Sequence, residues 1–194
     1  MNLIQIDKQL TTFLNSFHTP FLDIVMYNVS KTFIWLPFYL FLMFFLWRQY
    51  GNRVIWIKVI FLIALVFASD KTSVYWFKNV FERLRPCHDP DMVVRIYKRC
   101  GGHFGFVSSH ATNVFALATF LYFQMKTKYK WIVWMFLWAS IISYSRVYLG
   151  VHFVGDILCG AIWGSFVGFV VHKTENYSSI FICHRVPWFS KTSK

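Results

Sequence analysis

Charge is scarce in this chain, and negative charge is scarcest. Lys, Arg, Asp and Glu together make up 14% of its 194 residues, against about 25% in an ordinary soluble domain. Too little polar surface remains to face water on every side. Only 8 residues are Asp or Glu against 20 that are Lys or Arg, and no carboxylate cluster of the kind magnesium needs is visible. Internal repeats and low-complexity stretches are absent, so one domain, 1–194, is the simplest organisation. The N-terminus lacks a signal peptide with a small-residue cleavage site. Neither a broken helix nor a repeat at midplane depth suggests a transporter.

Apolar and aromatic residues take the place of charge, at 57% and 22% of the chain. Charge-free runs recur at 32–47, 101–125, 131–145 and 157–172. Each reaches the roughly 20 residues of a bilayer span once a flanking Lys or Arg snorkels to the headgroups. Trp35, Trp47, Tyr50 and Trp131 near the ends suit interfacial belts. The class predicted is therefore all-α: a polytopic membrane helical bundle of about five transmembrane helices, near 31–49, 53–79, 108–126, 130–149 and 152–173. Ahead of them, residues 1–30 carry apolar side chains at Leu3, Ile6, Leu10, Phe13, Leu14 and Phe17, the spacing of an amphipathic helix in the interface, broken at Pro20. Residues 174–194 form a short basic tail.

The net charge of +12 would suggest nucleic acid in a soluble protein. In a membrane protein it means basic residues flanking spans and meeting anionic lipid, so the expected partners are membrane lipids and not nucleic acid. The short connections with Arg48, Arg53, Lys126, Lys128 and Lys130, and the tail with Lys173, Arg185, Lys191 and Lys194, belong in the cytoplasm by the positive-inside rule. The polar loop 82–106 then lies outside, although Arg83, Arg85, Arg95, Lys98 and Arg99 make it basic too, which requires another task for those charges. Cys87 and Cys100 bracket this loop, as a disulfide would in an oxidising compartment, while Cys159 and Cys183 sit in the last span and the tail. With His88 and His103 beside the first two, zinc is the alternative, but the spacing matches no common zinc pattern and no metal is expected.

Several polar residues sit at span ends, where they are costly and usually mark a site. Lys78 and Arg85-Pro86 close the second span, Ser108-Ser109-His110 opens the third, Ser145-Arg146 closes the fourth, and His152 and Asp156 open the fifth. One crossing separates each pair of ends, so all meet on one membrane face. Lys78, Arg85 and Arg146 are cations suited to a phosphate, and two helix N-termini point the same way. Four residues apart, Asp156 can orient His152 as nucleophile or base, with His110 free to protonate a leaving oxygen. Phosphoryl transfer without a metal is the implied chemistry. Asp70 and Lys71, two turns before Lys78, read as a structural or interfacial pair.

The segments "KNVFERLRP", "VSSH" and "SRVYLGVHFVGD" resemble the three signature motifs of the type 2 phosphatidic acid phosphatase superfamily. The resemblance covers about residues 70–160, with two departures in the second motif, Val107 for Pro and Ser109 for Gly. It implies a membrane lipid phosphatase without a cofactor, in which His152 attacks phosphorus, Asp156 orients His152, and His110 serves the leaving group. Lys78, Arg85, Ser108 and Arg146, with the Ser109 and His110 amides, would hold the phosphoryl oxygens. The implied setting is the extracytoplasmic side of a bacterial inner membrane, acting on a phosphorylated lipid. Lipid A phosphate or undecaprenyl diphosphate is favoured, because Arg95, Lys98, Arg99 and His103 could meet a bulky anionic head group. Phosphatidylglycerophosphate and phosphatidic acid are the alternatives, and a non-catalytic anion-binding membrane protein is the alternative of another class.

Overall fold

Gly51 divides the longest helix. The protein, seen in a computed structural model, is described over residues 2–185, side chains of Arg53 and of 180–185 excepted, so Lys191 and Lys194 lie outside the described residues, as do the side chains of Cys183 and Arg185. Two short helices come first, α1 (Leu3–Asn15) and α2 (Pro20–Val29). Helix α3 (Leu36–Thr72) follows, and at Gly51 its backbone takes φ 71° and ψ 176°. Only glycine enters that region without strain. The chain turns back there, and Leu42 and Leu46 before the break line the same cavity as Leu62 and Val66 after it. The second arm ends in a π-helical turn, Ser73–Lys78, then the three-residue α4 (Asn79–Phe81), closed by Glu82 in a left-handed conformation at φ 44°. After the loop come α5 (Ser109–Met125), α6 (Met135–Tyr148) behind a 3-10 turn at Lys130–Trp134, and α7 (Val154–Arg185).

Two segments, Thr32–Asn52 and Val154–Ser179, are long and apolar enough to cross a bilayer by composition, with mean hydropathy 1.2 and 1.8. The other three expected spans fall short of that measure for local reasons. The second arm of α3 carries Lys58, Asp70 and Lys71, and α5 and α6 have only 17 and 14 residues.

The expected tail is in part helix. Beyond residue 173, α7 continues to Arg185, because Glu175 is anchored inside the bundle. Its Oε2 accepts from Lys58 Nζ at 2.7 Å, Lys58 also donates to Gln124 Oε1 at 2.9 Å, and both charged groups are buried. A buried ion pair is tolerable only when further hydrogen bonds complete it; here Gln124 and Ser179 do so. The core lies between α3, α5, α6 and α7, around Leu46, Leu65, Phe120, Leu121, Met125 and Ile132.

Helices α5 and α7 cross closely because α7 carries glycine every fourth residue, at Gly160, Gly164 and Gly168. A Cβ on Gly160 would lie 2.8 Å from the Ser108 carbonyl, and one on Gly164 or Gly168 would overlap the Thr112 or Ala116 carbonyl. Small residues at this spacing are how membrane helices bring their backbones together.

Helix α1 has an apolar and a polar face, as expected, but the polar face meets the protein. Leu3, Phe13 and Phe17 are exposed, while Thr11 and Asn15 are buried. With 13 and 10 residues, neither α1 nor α2 reaches the roughly 20 needed to span a bilayer. Helix α2 begins at Pro20 under a Thr19 cap, so the proline starts an element where a break was expected. It is docked through Asp23, which accepts from Arg95 at 2.7 and 2.6 Å and from the Tyr148 hydroxyl at 2.8 Å. The bidentate Arg95 holds the Asp23 carboxyl below its ordinary 3.8. A depressed carboxyl stabilises the fold above its ordinary value and loses that contribution as pH falls through the lowered one. The melting temperature of Asp23→Asn in detergent is therefore expected below wild type at neutral pH, with the gap narrowing only as pH falls below the ordinary 3.8 and through the lowered value.

Candidate active site

The loop between α4 and α5 is pinned by a short antiparallel pairing. Arg85 N donates to His103 O at 3.0 Å and Gly105 N to Arg83 O at 2.8 Å, on either side of the Leu84–Phe104 bridge. Residues two apart on an extended chain share a face, so Arg83 and Arg85 both reach the turn ahead of α7. The Cys87–Cys100 disulfide closes the same loop, with Cα atoms 6.1 Å apart. His88 and Cys100 stand beside Cys87, but sulfurs bonded to each other are not thiolate ligands, and His88 packs on His103 with ring centroids 4.8 Å apart.

On that turn His152 and Asp156 are 1% and 0% exposed. Asp156 Oδ2 lies 3.2 Å from His152 Nδ1 and accepts from Phe153 N at 3.1 Å, while Oδ1 accepts from Arg83 Nη1 at 3.0 Å. A carboxylate paired with arginine is an acceptor, so Nδ1 carries the imidazole proton and Nε2 presents its lone pair. Arg85 Nη1 sits 3.0 Å from that Nε2 and donates to Val151 O at 3.1 Å. Helix α5 is tied to the same place, since Ser108 N donates to the Asp156 carbonyl at 3.1 Å.

Lys78, on the π-helical turn, donates to Ser109 Oγ at 2.8 Å, and Ser109 Oγ is 2.7 Å from Ser73 Oγ. Arg146 donates to Ser30 Oγ. Lys78, Arg85 and Arg146 lie near enough to His110 for their charges to reach it. Among the described residues none of Lys78, Arg85 and Arg146 has an ion-pair partner, and the Nε atoms of Arg85 and Arg146 are buried without a hydrogen-bond partner. Leaving such a donor unmade costs about 1–3 kcal/mol, a cost that a site for an anion explains.

The structure thus gathers Lys78, Arg85, Ser109, His110, Arg146, His152 and Asp156. Ser108 is fully buried, and its Oγ caps α5 towards Ala111 N at 3.5 Å. The Ser109 side chain is engaged with Lys78 and Ser73, which leaves the backbone N–H as its route to an anion. Asp70 and Lys71 are not a pair: Asp70 lines a cavity with Ser109 and His110, whereas Lys71 lies over the Phe67 and Tyr75 rings. That cavity, about 640 Å³, runs from His110 and Asn113 between walls that include Leu42, Leu46, Leu62, Val66 and Leu117. Arg95 is committed to Asp23, so it is not the free head-group contact the sequence suggested, whereas Lys98 is exposed beside Tyr27. Sequence reasoning gave no site role to Arg83, Asp7 or Ser30. Arg83 shares the strand face of Arg85 and Asp7 follows the four-residue spacing of Thr11 and Asn15, whereas Ser30 carried no signal.

Residues 58–180 match the profile of the PAP2 superfamily. The chain belongs to the PAP2 superfamily. It is 35% identical over 180 residues to a lipid A 4'-phosphatase of Bacteroides thetaiotaomicron, covering 88% of this chain and 79% of that one. A lipid A 4'-phosphatase of Porphyromonas gingivalis is 33% identical over 184 residues, covering 91% and 75%. The crystal structure of a transmembrane PAP2-type phosphatidylglycerolphosphate phosphatase from Bacillus subtilis shares the fold at a TM-score of 0.67 and 23% identity, over 91% of this chain and 88% of that one. This PAP2 protein is a phosphoric ester hydrolase, a membrane lipid phosphatase of the PAP2 type. All three sequence motifs fall inside the matched segment; α1, α2 and the first arm of α3 precede it.

Proposed function

We propose that this phosphatase removes the 4'-phosphate of lipid A at the extracytoplasmic face of the inner membrane, through a phosphohistidine on His152 and without a metal. The observation that carries the reaction is the convergence of Lys78, Arg85 and Arg146, without a carboxylate ion-pair partner among the described residues and with two buried N–H groups unmatched, beside a histidine held by Asp156. These cations and the N-terminus of α5 hold the phosphoryl oxygens and stabilise the charge that develops on them. The lone pair of His152 Nε2 forms the N–P bond as the bond to the lipid oxygen breaks, and His110 gives its proton to that oxygen. Water then attacks the phosphohistidine, His110 takes a proton back, and the N–P bond breaks to return His152 and release phosphate.

Two relatives act on lipid A at this same phosphate, by their names. The apolar cavity that opens beside His110 suits an acyl chain of such a substrate. In detergent, phosphate release is expected fastest from bisphosphorylated lipid A, by about 10-fold in kcat/KM over undecaprenyl diphosphate, phosphatidylglycerophosphate and phosphatidic acid. Mass analysis of the product should show loss at the 4' position, with the rate unchanged by a chelator. A faster rate on another lipid of the set would overturn the substrate, and vanadate binding without turnover on any of them would favour a non-catalytic anion-binding protein.

A further inference from the structure

We infer that the N-terminal helix is part of the working site: Asp7, on α1, positions the carboxylate of Asp156 through Arg83. The inference rests on the reading of His152 and Asp156 as nucleophile and orienting base. The connection is continuous. Asp7 Oδ2 accepts from Arg83 Nη2 at 2.6 Å, Arg83 Nη1 donates to Asp156 Oδ1 at 3.0 Å, and Asp156 Oδ2 lies 3.2 Å from His152 Nδ1. Each link is fixed by something else as well. Asp7 Oδ1 accepts from Gly155 N at 2.8 Å, and the Arg83 guanidinium lies 4.0 Å over the Phe153 ring.

Spacing on α1 shows that the contact belongs to a docked face and not to one mobile side chain. Asp7, Thr11 and Asn15 follow one another at four-residue steps, so they form one stripe. Thr11 Oγ1 accepts from Val154 N at 3.1 Å, and Asn15 Nδ2 donates to Val147 O and Tyr148 O at 3.3 and 2.8 Å. The stripe thus holds both ends of the stretch between Arg146 and Asp156, at Val147 and Tyr148 and at Val154 and Gly155. Within it, Asp7 alone reaches the reacting groups through a chain of charges.

The fork of Arg83 explains why Asp7 matters to turnover. A guanidinium held by carboxylates at both ends has one orientation, whereas one held at a single end can rotate. Without Asp7, Arg83 loses that second anchor, Asp156 loses a fixed partner for Oδ1, and the direction in which His152 points Nε2 is no longer set. Ground-state binding of the lipid depends on the cations and the cavity, which Asp7 does not touch, so the effect falls on kcat.

The test uses the full-length enzyme in detergent with whichever lipid phosphate the wild type hydrolyses fastest. Asp7→Asn keeps an acceptor for Gly155 N and removes the ion pair, and it is expected to lower kcat about 10-fold with KM within about twofold and an unchanged melting temperature. Lys8→Met breaks the neighbouring α1 contacts to Asp89 and Asp91 and should leave kcat within about twofold. If Asp7→Asn does not fold, Arg83→Lys is read instead by the same split, since lysine cannot hold two carboxylates by a fork. A kcat within twofold of wild type, or a loss matched by Lys8→Met or confined to KM, would overturn the inference. His152→Ala in the same assay separates the two readings. Full turnover there sinks the dyad itself, whereas an inactive His152→Ala beside a normal Asp7→Asn sinks only the role of Asp7.

Discussion

His152→Ala is expected to lower kcat by about 10³-fold or more while phosphate and vanadate still bind. In the proposed mechanism the side chain contributes the attacking lone pair, and the two neighbouring hydroxyls are otherwise engaged: Ser109 Oγ with Lys78 and Ser73, and Ser108 Oγ as the cap of α5. The anion cradle is independent of the imidazole, because Lys78, Arg85 and Arg146 come from three other elements. Removing the ring takes one acceptor from Arg85, whose other bond, to Val151 O, remains. The variant should therefore separate binding from chemistry, with loss of kcat and retention of affinity. Full activity in both His152→Ala and His110→Ala would refute the mechanism.

Gly164→Leu is expected to lower activity by about 100-fold and to reduce the melting temperature in detergent. At this position any Cβ meets the Thr112 carbonyl of α5, and at Gly168 it meets the Ala116 carbonyl. Those atoms are helix backbone and cannot swing aside as a side chain would, so accommodating a leucine means parting the helices. His110 stands on the first turn of α5 and His152 just before the first turn of α7. Parting the helices therefore separates the proton donor from the nucleophile, and a displacement of about 1 Å at a reacting group can cost about 10²-fold. Ile162, on the outward side of α7, is 73% exposed, and Ile162→Phe should change neither property. Wild-type turnover in Gly164→Leu would show that the close crossing is not what assembles the site.

Much of the site was legible because its residues are set by local spacing. Lys78 with Arg85, and Arg146 with His152 and Asp156, are fixed intervals along one chain segment, and the number of crossings between them brings them to one face. Arg83 was harder, since its partner Asp156 is 73 residues away and only the loop pairing with His103–Gly105 shows which way it points. Asp7, Thr11 and Asn15 were visible as a four-residue stripe, but the apolar residues between them gave the stronger signal, and which face meets the protein is decided by the turn it docks on. The glycines of α7 carried a similar periodic signal and were read only as part of an apolar run. Ser109 was expected to meet the anion through its amide; its hydroxyl turns out to bind Lys78, a contact possible only because the π-helical turn brings Ser73 and Lys78 to the start of α5. Helix α7 outlasted the expected span because a buried partner for Glu175, Lys58, lies 117 positions earlier and leaves no local trace.

In the proposed mechanism, phosphate passes through His152. The most direct measurement is a single-turnover reaction with phosphate-labelled lipid, quenched in alkali and mapped to peptides. A transient label is expected on the peptide holding His152, formed and lost at rates consistent with turnover and absent from His152→Ala. Label on a different residue, or complete turnover with none on His152 at any time, would contradict it.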